Sequence, residues 1–208
     1  MEDFVSQILA WPPLGLRIRT QRLELRLPIC ADVAKLAPIS YYARTGPRIG
    51  ITFTPTELLT REIARSIAEW SVDQWTLTFG AFQANGHAVG IQSVNTKEFS
   101  TSRVFRTPVW VAPSNRRQGY ATEMREAVLS LMFDHLGAVA ALASPRRDNT
   151  ASIIVSTALG YVPFLETGEA TSRKTLPLRL TRDGWLGRCR PEVLIDGIAD
   201  CLPLFGLA

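Results

Sequence analysis

Trp110-Val111-Ala112-Pro113-Ser114-Asn115-Arg116-Arg117-Gln118-Gly119-Tyr120-Ala121-Thr122 is the stretch on which the reading of this 208-residue chain turns. Before it, Val104–Ala112 has the composition of a strand, interrupted by Pro108. After it, Met124, Val128, Leu131, Met132 and Leu136 recur at helical spacing until Gly137 marks the stop. The stretch therefore crosses from strand to helix. The first turn of a helix leaves N–H groups free and carries the positive end of the dipole, so an anion is favoured there. Gly119 and Ala121 are small enough for a phosphate to approach the backbone, and Arg116 and Arg117 add charge beside it. The spacing fits neither the GxxxxGK[ST] loop nor the GxGxxG fingerprint. Two readings stand at this point: a pyrophosphate-sized anion site, or an ordinary loop with a glycine and two solvated arginines.

Working outward, Val139–Ala143 is a short apolar run, as a buried parallel strand requires. Asp148 or Asn149 can cap a helix carrying Ala151, Ile154, Val155, Ala158 and Leu159, closed by Gly160-Tyr161. A last strand, Thr175–Leu180, leads into Thr181-Arg182-Asp183-Gly184-Trp185. On the amino side, alternation from Leu16 to Leu27 predicts one strand with its arginines on the wet face. Asp32 opens a short helix through Leu36 that Pro38 ends, and residues 40–56 read as a loop. Thr56 then caps a helix bearing Leu59, Ile63, Ile67 and Trp70. Trp75–Gln83 and Ala88–Val94 form a hairpin about Asn85-Gly86. Short helices are expected at 3–11, stopped by Pro12-Pro13, and near Val193–Ile198.

Composition narrows the class without naming it. With 46% hydrophobic residues, 20% charged and a formal charge of +4, the chain is a soluble globular one able to bury a core. No apolar run reaches the ~20 residues that span a bilayer, so no membrane segment is expected. Glu2 and Asp3 stand where a signal peptide needs positive charge. Cys30, Cys189 and Cys201, with only His87 and His135, suit neither a disulfide framework nor a metal site, which points to a reduced, cytoplasmic compartment. Arg17, Arg19, Arg22 and Arg26 line a strand without interleaved aromatics, which argues against nucleic acid.

Taken in order, these motifs resemble the GNAT acyl-CoA N-acyltransferase superfamily, in its Rim-type branch of ribosomal-protein-alanine acetyltransferases. That family's phosphate loop, [QR]-x-x-G-x-[GA], fits Arg116–Ala121, and its preceding hydrophobic-x-Pro strand end fits Trp110–Pro113. Its helix-opening Asn and terminal Leu-Gly-[FY] fit Asn149 and Leu159-Gly160-Tyr161. The Rim branch's T-x-R-L-x-L-R fits Thr20–Arg26, and its L-[TR]-R-x-x-W fits Leu180–Trp185. The resemblance covers about residues 16–185. It implies an α/β (α+β) GNAT fold with a mixed, strongly twisted central sheet of about seven strands flanked by helices. Residues 1–15 and 186–208 fall outside it as extensions that pack on the core or on a second subunit, as in a homodimer.

The resemblance also implies acetyl-CoA, or another short acyl-CoA, as cofactor and direct acyl transfer to a primary amine. A small-molecule acceptor is preferred; the alternatives are a Rim-type protein amino terminus and a non-catalytic acyl-CoA-binding module. Arg116, Arg117, Gln118, Gly119, Tyr120, Ala121 and Thr122 would hold the pyrophosphate. Val109, Trp110 and Val111 would face the pantetheine and thioester from a bulged, splayed strand, and Asn149 would bond the pantetheine. Ser152 is the preferred thiolate donor, with Ser156 in reserve where many members place a Tyr. The family's glutamate before the loop is absent, since 105–107 read Phe-Arg-Thr. Glu169 and Glu166 are the remaining acidic candidates. For acceptor recognition Arg44, Arg48, Trp70, Asp73 and Trp75 are available.

Overall fold

Residues 11–45, 54–164 and 174–207 are described by the structure, a computed structural model. Ten strands make one sheet: β1 Arg17–Arg19, β2 Glu24–Arg26, β3 Thr76–Phe82, β4 Ala88–Thr96, β5 Val104–Arg106, β6 Val109–Val111, β7 Ala140–Ala143, β8 Val162–Pro163, β9 Leu178–Thr181 and β10 Leu194–Asp196. Their order is β10-β1-β2-β3-β4-β5-β7-β9-β8, with β6 also on β4. Every pairing is antiparallel except β5 with β7, the apolar strand expected to be parallel. The fold class is as expected, but the sheet has three more strands than the seven anticipated.

One extra strand comes from Leu16–Leu27, which is a hairpin and not one strand. Leu16 and Ile18 are even-numbered; Leu23, Leu25 and Leu27 are odd. No single strand keeps both sets on one face, so the chain turns at Thr20–Leu23. Thr20 holds that turn, its N–H donating to the Leu23 carbonyl at 2.9 Å and its Oγ1 accepting from the Leu23 N–H at 3.1 Å. Another extra strand is β10, where a short helix was expected. It pairs with β1, Ile195 opposite Ile18. Behind it, the 3-10 segment Ala199–Phe205 puts Cys201 and Phe205 into the core.

The helices are α1 Cys30–Thr45, α2 Pro55–Ala68, α3 Phe99–Ser102, α4 Tyr120–Ser130, α5 Thr150–Ala158 and α6 Arg182–Leu186. In α1, Pro38 lies inside the helix and does not end it, and residues 40–45 are helical where a loop was expected. Leu36, Ala37 and Ile39 bury against the sheet, and burial of such side chains, about 1.5–3 kcal/mol each, outweighs the one hydrogen bond Pro38 removes. The cap of α2 is Thr54, not Thr56: its Oγ1 accepts from the Glu57 N–H at 3.2 Å, and Glu57 Oε2 accepts from the Thr54 N–H at 2.8 Å.

α1 and α2 cover one face of the sheet, with Ile91, Ala112 and Trp110 beneath them. α4 covers the other through Tyr120, Met124, Ala127 and Val128, and runs on through a π-turn, Leu131–His135. There Asp134 accepts from Trp185 Nε1 at 3.2 Å and from Arg190 Nη1 at 2.8 Å, tying the Leu180–Trp185 motif to the end of α4. Among the described residues no helix is long and apolar enough to cross a membrane, and no cluster of metal-ligating side chains occurs.

Candidate active site

The site forms where β6, unlike β5, parts company with β7. β4 pairs with β5 at Asn95–Arg106 and with β6 at Gln92–Val109, three residues on in each strand, so the register against β4 is unbroken. The expected bulge is therefore absent: no extra residue is inserted. The break is a kink at Thr107-Pro108, and the Pro108 carbonyl still accepts from the Ser93 N–H at 2.9 Å and from Gln92 Nε2 at 3.0 Å. On the other side β5 pairs with β7, but β6 pairs only with β4. An open seam results between β6 and β7.

Antiparallel strands present their polar groups alternately to one neighbour and the other. The Ala112 N–H donates to the Val89 carbonyl at 2.9 Å, so every second residue back from Ala112 also faces β4. That includes Trp110, whose carbonyl oxygen lies so close to Gly90 that a Cβ there would collide with it. Val109 and Val111 point their N–H and C=O into the seam instead. The expectation that all three would do so is corrected at Trp110; its indole lies on the α1/α2 face, with Nε1 buried and without a partner. The Val111 carbonyl accepts from Arg116 Nε at 3.3 Å, and the Arg116 guanidinium carbon sits 4.9 Å from the Trp110 ring.

At the loop, Arg117 and Gly119 both have positive φ, +61° and +83°. Alternating left-handed residues curl successive N–H groups into a concave nest for an anion. Gly119 caps α4 without a side chain, leaving the N–H groups of Tyr120 and Ala121 with no acceptor among the described residues. Thr122 differs, since its N–H donates to the Gly119 carbonyl at 3.1 Å. Holding a non-glycine residue left-handed costs about 1–2 kcal/mol, and the surroundings supply the restraint. Arg22 donates to the Gln118 carbonyl at 3.0 Å and to Glu123 Oε2 at 2.7 Å, and lies 4.5 Å over the Tyr120 ring. Thr20 Oγ1 donates to Glu123 Oε1 at 2.6 Å. The Thr20-x-Arg22 motif thus braces the loop of Arg116–Ala121 from a distant part of the chain.

Two hollows meet at this seam. One, of about 870 Å³, runs from the loop past Val109, Val111, Arg125 and Ala143 to Asn149 and Ser152. The other, of about 610 Å³, lies between α2 and the sheet, over Thr78, Ser93 and Asn95, with Arg61, Glu62, Arg65 and Glu69 among its lining residues. Pro108, Val109 and Trp110 line both.

Residues 22–162, about two-thirds of the chain, match the family model of the acetyltransferase (GNAT) domain. The chain belongs to the GNAT acetyltransferase family. Solved structures agree on the fold. A Vibrio cholerae protein assigned as a ribosomal-protein-serine acetyltransferase is 19% identical, with a TM-score of 0.61 over 79% of this chain and 97% of that one. The spermidine N-acetyltransferase of Vibrio cholerae, solved with CoA and spermine, is 13% identical, with a TM-score of 0.63 over 79% and 98%. An acetyltransferase of the GNAT family from Bacillus anthracis is 14% identical, with a TM-score of 0.59 over 80% and 99%. GNAT acetyltransferases draw their acetyl group from acetyl-CoA. The donor nest, the long hollow and the unpaired edge of β6 fit that cofactor.

Within this GNAT chain, Asn149 caps α5, its Oδ1 accepting from the Ser152 N–H at 3.1 Å, which leaves Nδ2 for a ligand. Ser152 lines the larger hollow. Ser156 does not: it is fully buried, donates to the Ser152 carbonyl at 2.9 Å and accepts from Arg125 Nη1 at 2.8 Å. Its proton is committed, and the reserve assignment is withdrawn. Glu166, Glu169 and Arg48 lie outside the described residues, as does the side chain of Arg44. Trp70 and Trp75 stack with ring centroids 5.5 Å apart beside Phe205, which makes them core before anything else, and Asp73 accepts from Ser100. Arg125 was missed. Buried among Met124, Ala127 and Val128 in the helical pattern, it had the spacing of a core position and the identity of a surface one.

Proposed function

We propose that the protein transfers an acetyl group from acetyl-CoA directly to a primary amine of a small molecule. The meeting of the two hollows at Pro108, Val109 and Trp110 carries this reading: one side takes the cofactor and the other the acceptor. Bound acetyl-CoA supplies an acetyl group activated as a thioester. The N–H groups of Arg117 to Ala121 hold its pyrophosphate, aided by the charge of Arg116. Val109 and the Val111 N–H offer an open strand edge along which an extended pantetheine chain can bond. The Ser152 hydroxyl donates a hydrogen bond to the departing sulfur, the path by which that sulfur regains a proton.

On the acceptor side, the hydroxyls of Thr78 and Ser93 and the unpartnered Oδ1 of Asn95 can accept hydrogen bonds from an incoming nitrogen. No cysteine lines either hollow, which favours direct transfer over an acyl-enzyme. The groove of about 610 Å³ is in the range of small-molecule sites. Calorimetric titration with CoA, followed by thiol release from acetyl-CoA across a panel of amines, tests the proposal. Acetylation of at least one small primary amine is expected. Absence of CoA binding overturns the cofactor reading, and acetylation of peptide amino termini alone overturns the small-molecule one.

A further inference from the structure

Among the described residues, Arg125, in the second turn of α4, is the only charged side chain lining the larger hollow that is buried, at 3% exposed. Its Nη1 donates to Ser156 Oγ at 2.8 Å, its Nε is buried without a partner, and its guanidinium carbon lies 6.0 Å from the Tyr161 ring centre. No carboxylate among the described residues faces it. On α4 itself, Glu123 turns to Arg22 and Glu126 to Arg188. α5 presents Ser152 and Ser156, the phenol of Tyr161 bonds Thr107 Oγ1 at 3.3 Å, and β7 contributes Leu142 and Ala143. Burial pushes the Arg125 pKa down and the Tyr161 pKa up, yet a guanidinium remains a cation at any working pH.

An uncompensated buried charge is costly, and a well-packed apolar residue of the same volume would serve packing better. A cation that the protein leaves unneutralised on the wall of a ligand cleft is suited to an anion that the ligand brings. The pyrophosphate has its own donors at the start of α4. Arg125 lies five residues further along, about 7.5 Å at 1.5 Å per residue. Through Tyr161 it belongs to the buried cluster beneath Thr107-Pro108, where the seam opens. At that end of the cofactor the charge that develops is on sulfur.

We propose that Arg125 receives the thiolate of CoA, stabilising the negative charge on sulfur as the thioester breaks. This rests on the acyl-CoA reading above. The amine nitrogen bonds to the acyl carbon, the carbon–sulfur bond breaks with its electron pair on sulfur, and the surplus proton on nitrogen passes to water. Arg125 keeps its proton and acts by charge; Ser152 supplies the hydrogen bond through which the sulfur is reprotonated from solvent.

The test is an ultraviolet titration of the thiolate of CoA bound to the whole protein, compared with free CoA and with the Arg125→Met protein. In the wild type the bound thiol should titrate at least one pH unit below free CoA, a tenfold gain in thiolate at a given pH. In Arg125→Met that shift should vanish, while CoA affinity at pH 6, where the thiol is neutral, stays within about threefold. A wild-type bound thiol titrating at or above the free value overturns the proposal without any variant, as does a shift that survives Arg125→Met. Loss of succinyl-CoA binding in the variant with no change in thiol titration would instead assign Arg125 to an acyl carboxylate. Complete absence of CoA binding to the wild type would remove the cofactor reading itself, and this proposal with it.

Discussion

Gly90→Ala tests the seam most directly. Gly90 lies opposite Val111 in the β4–β6 ladder. An added Cβ there would collide with the Trp110 carbonyl oxygen, and would come within 3.0 Å of Met124 Cε and 3.2 Å of Val111 Cα. The methionine end can swing away, but two of the three neighbours are backbone. β6 has only three residues and a single neighbour strand, so it must be the part that moves. Overpacking of a core costs about 1–3 kcal/mol, and a backbone obstacle puts this site at about 2–3. For a chain of this size about 2–4 °C of Tm goes with each kcal/mol, so a fall of about 4–12 °C is expected by calorimetry. The same movement displaces Val109 and Val111, and misplacement by about 1 Å can cost about 10²-fold in turnover. Gly15→Ala is the control, since no atom lies within 4 Å of its added Cβ. If Gly90→Ala matches that control in both Tm and turnover, the close approach of β6 to β4 is wrong, and so is the orientation argued for Trp110.

Other outcomes follow from the same geometry. Thr54→Ala should lower Tm by about 2–4 °C, since losing an N-cap costs about 1 kcal/mol. The Thr54 backbone N–H holds the Glu57 carboxyl below its usual 4.5, so its contribution is present above that value and lost on acidification through the lowered one. The Tm gap between wild type and Glu57→Ala should therefore narrow as the pH falls below 4.5. Ser152→Ala should cut turnover about 10²-fold at unchanged Tm, whereas Ser156→Ala should cost about 1–3 kcal/mol of stability by stranding Arg125; thermal melts and thiol-release kinetics that reverse this pattern would exchange the two assignments. Iodoacetamide at pH 8, followed by mass spectrometry, should label exposed Cys30 and Cys189, leaving Cys201 until the protein unfolds. Burial and the neighbouring Asp200 push the Cys201 thiol up to about 11.

Much of the fold is legible in the sequence wherever the cause is local. The Asn85-Gly86 hairpin, the apolar parallel strand and the loop of Arg116–Ala121 are set by neighbours a few residues apart. The losses occur where distant partners decide. β10 is a strand because β1 needs an edge partner, and nothing within Val193–Ile198 records that. Pro38 stays inside α1 because Leu36, Ala37 and Ile39 have a sheet to cover. The Leu16–Leu27 hairpin is the exception, since its parity switch was in plain view. In the candidate site, the strand–loop–helix order of Trp110–Thr122 could be read from the sequence. The division of labour among Ser152, Ser156 and Arg125 could not, because it depends on which face of α5 meets α4.

The pairing of β1 with β10 has a consequence for how the chain comes to fold. The Arg19–Asp196 ion pair across these strands closes a separation of 177 residues. A ribosome delivers β1 well before β10. While the residues between them are made, the outer rim of β1 presents bare amide and carbonyl groups to its surroundings, an invitation to strand exchange. β10 completes that rim, and the turns that follow it plug the core with Cys201 and Phe205. A chain broken before Leu194 would keep the loop of Arg116–Ala121 and leave the outer rim of β1 unguarded.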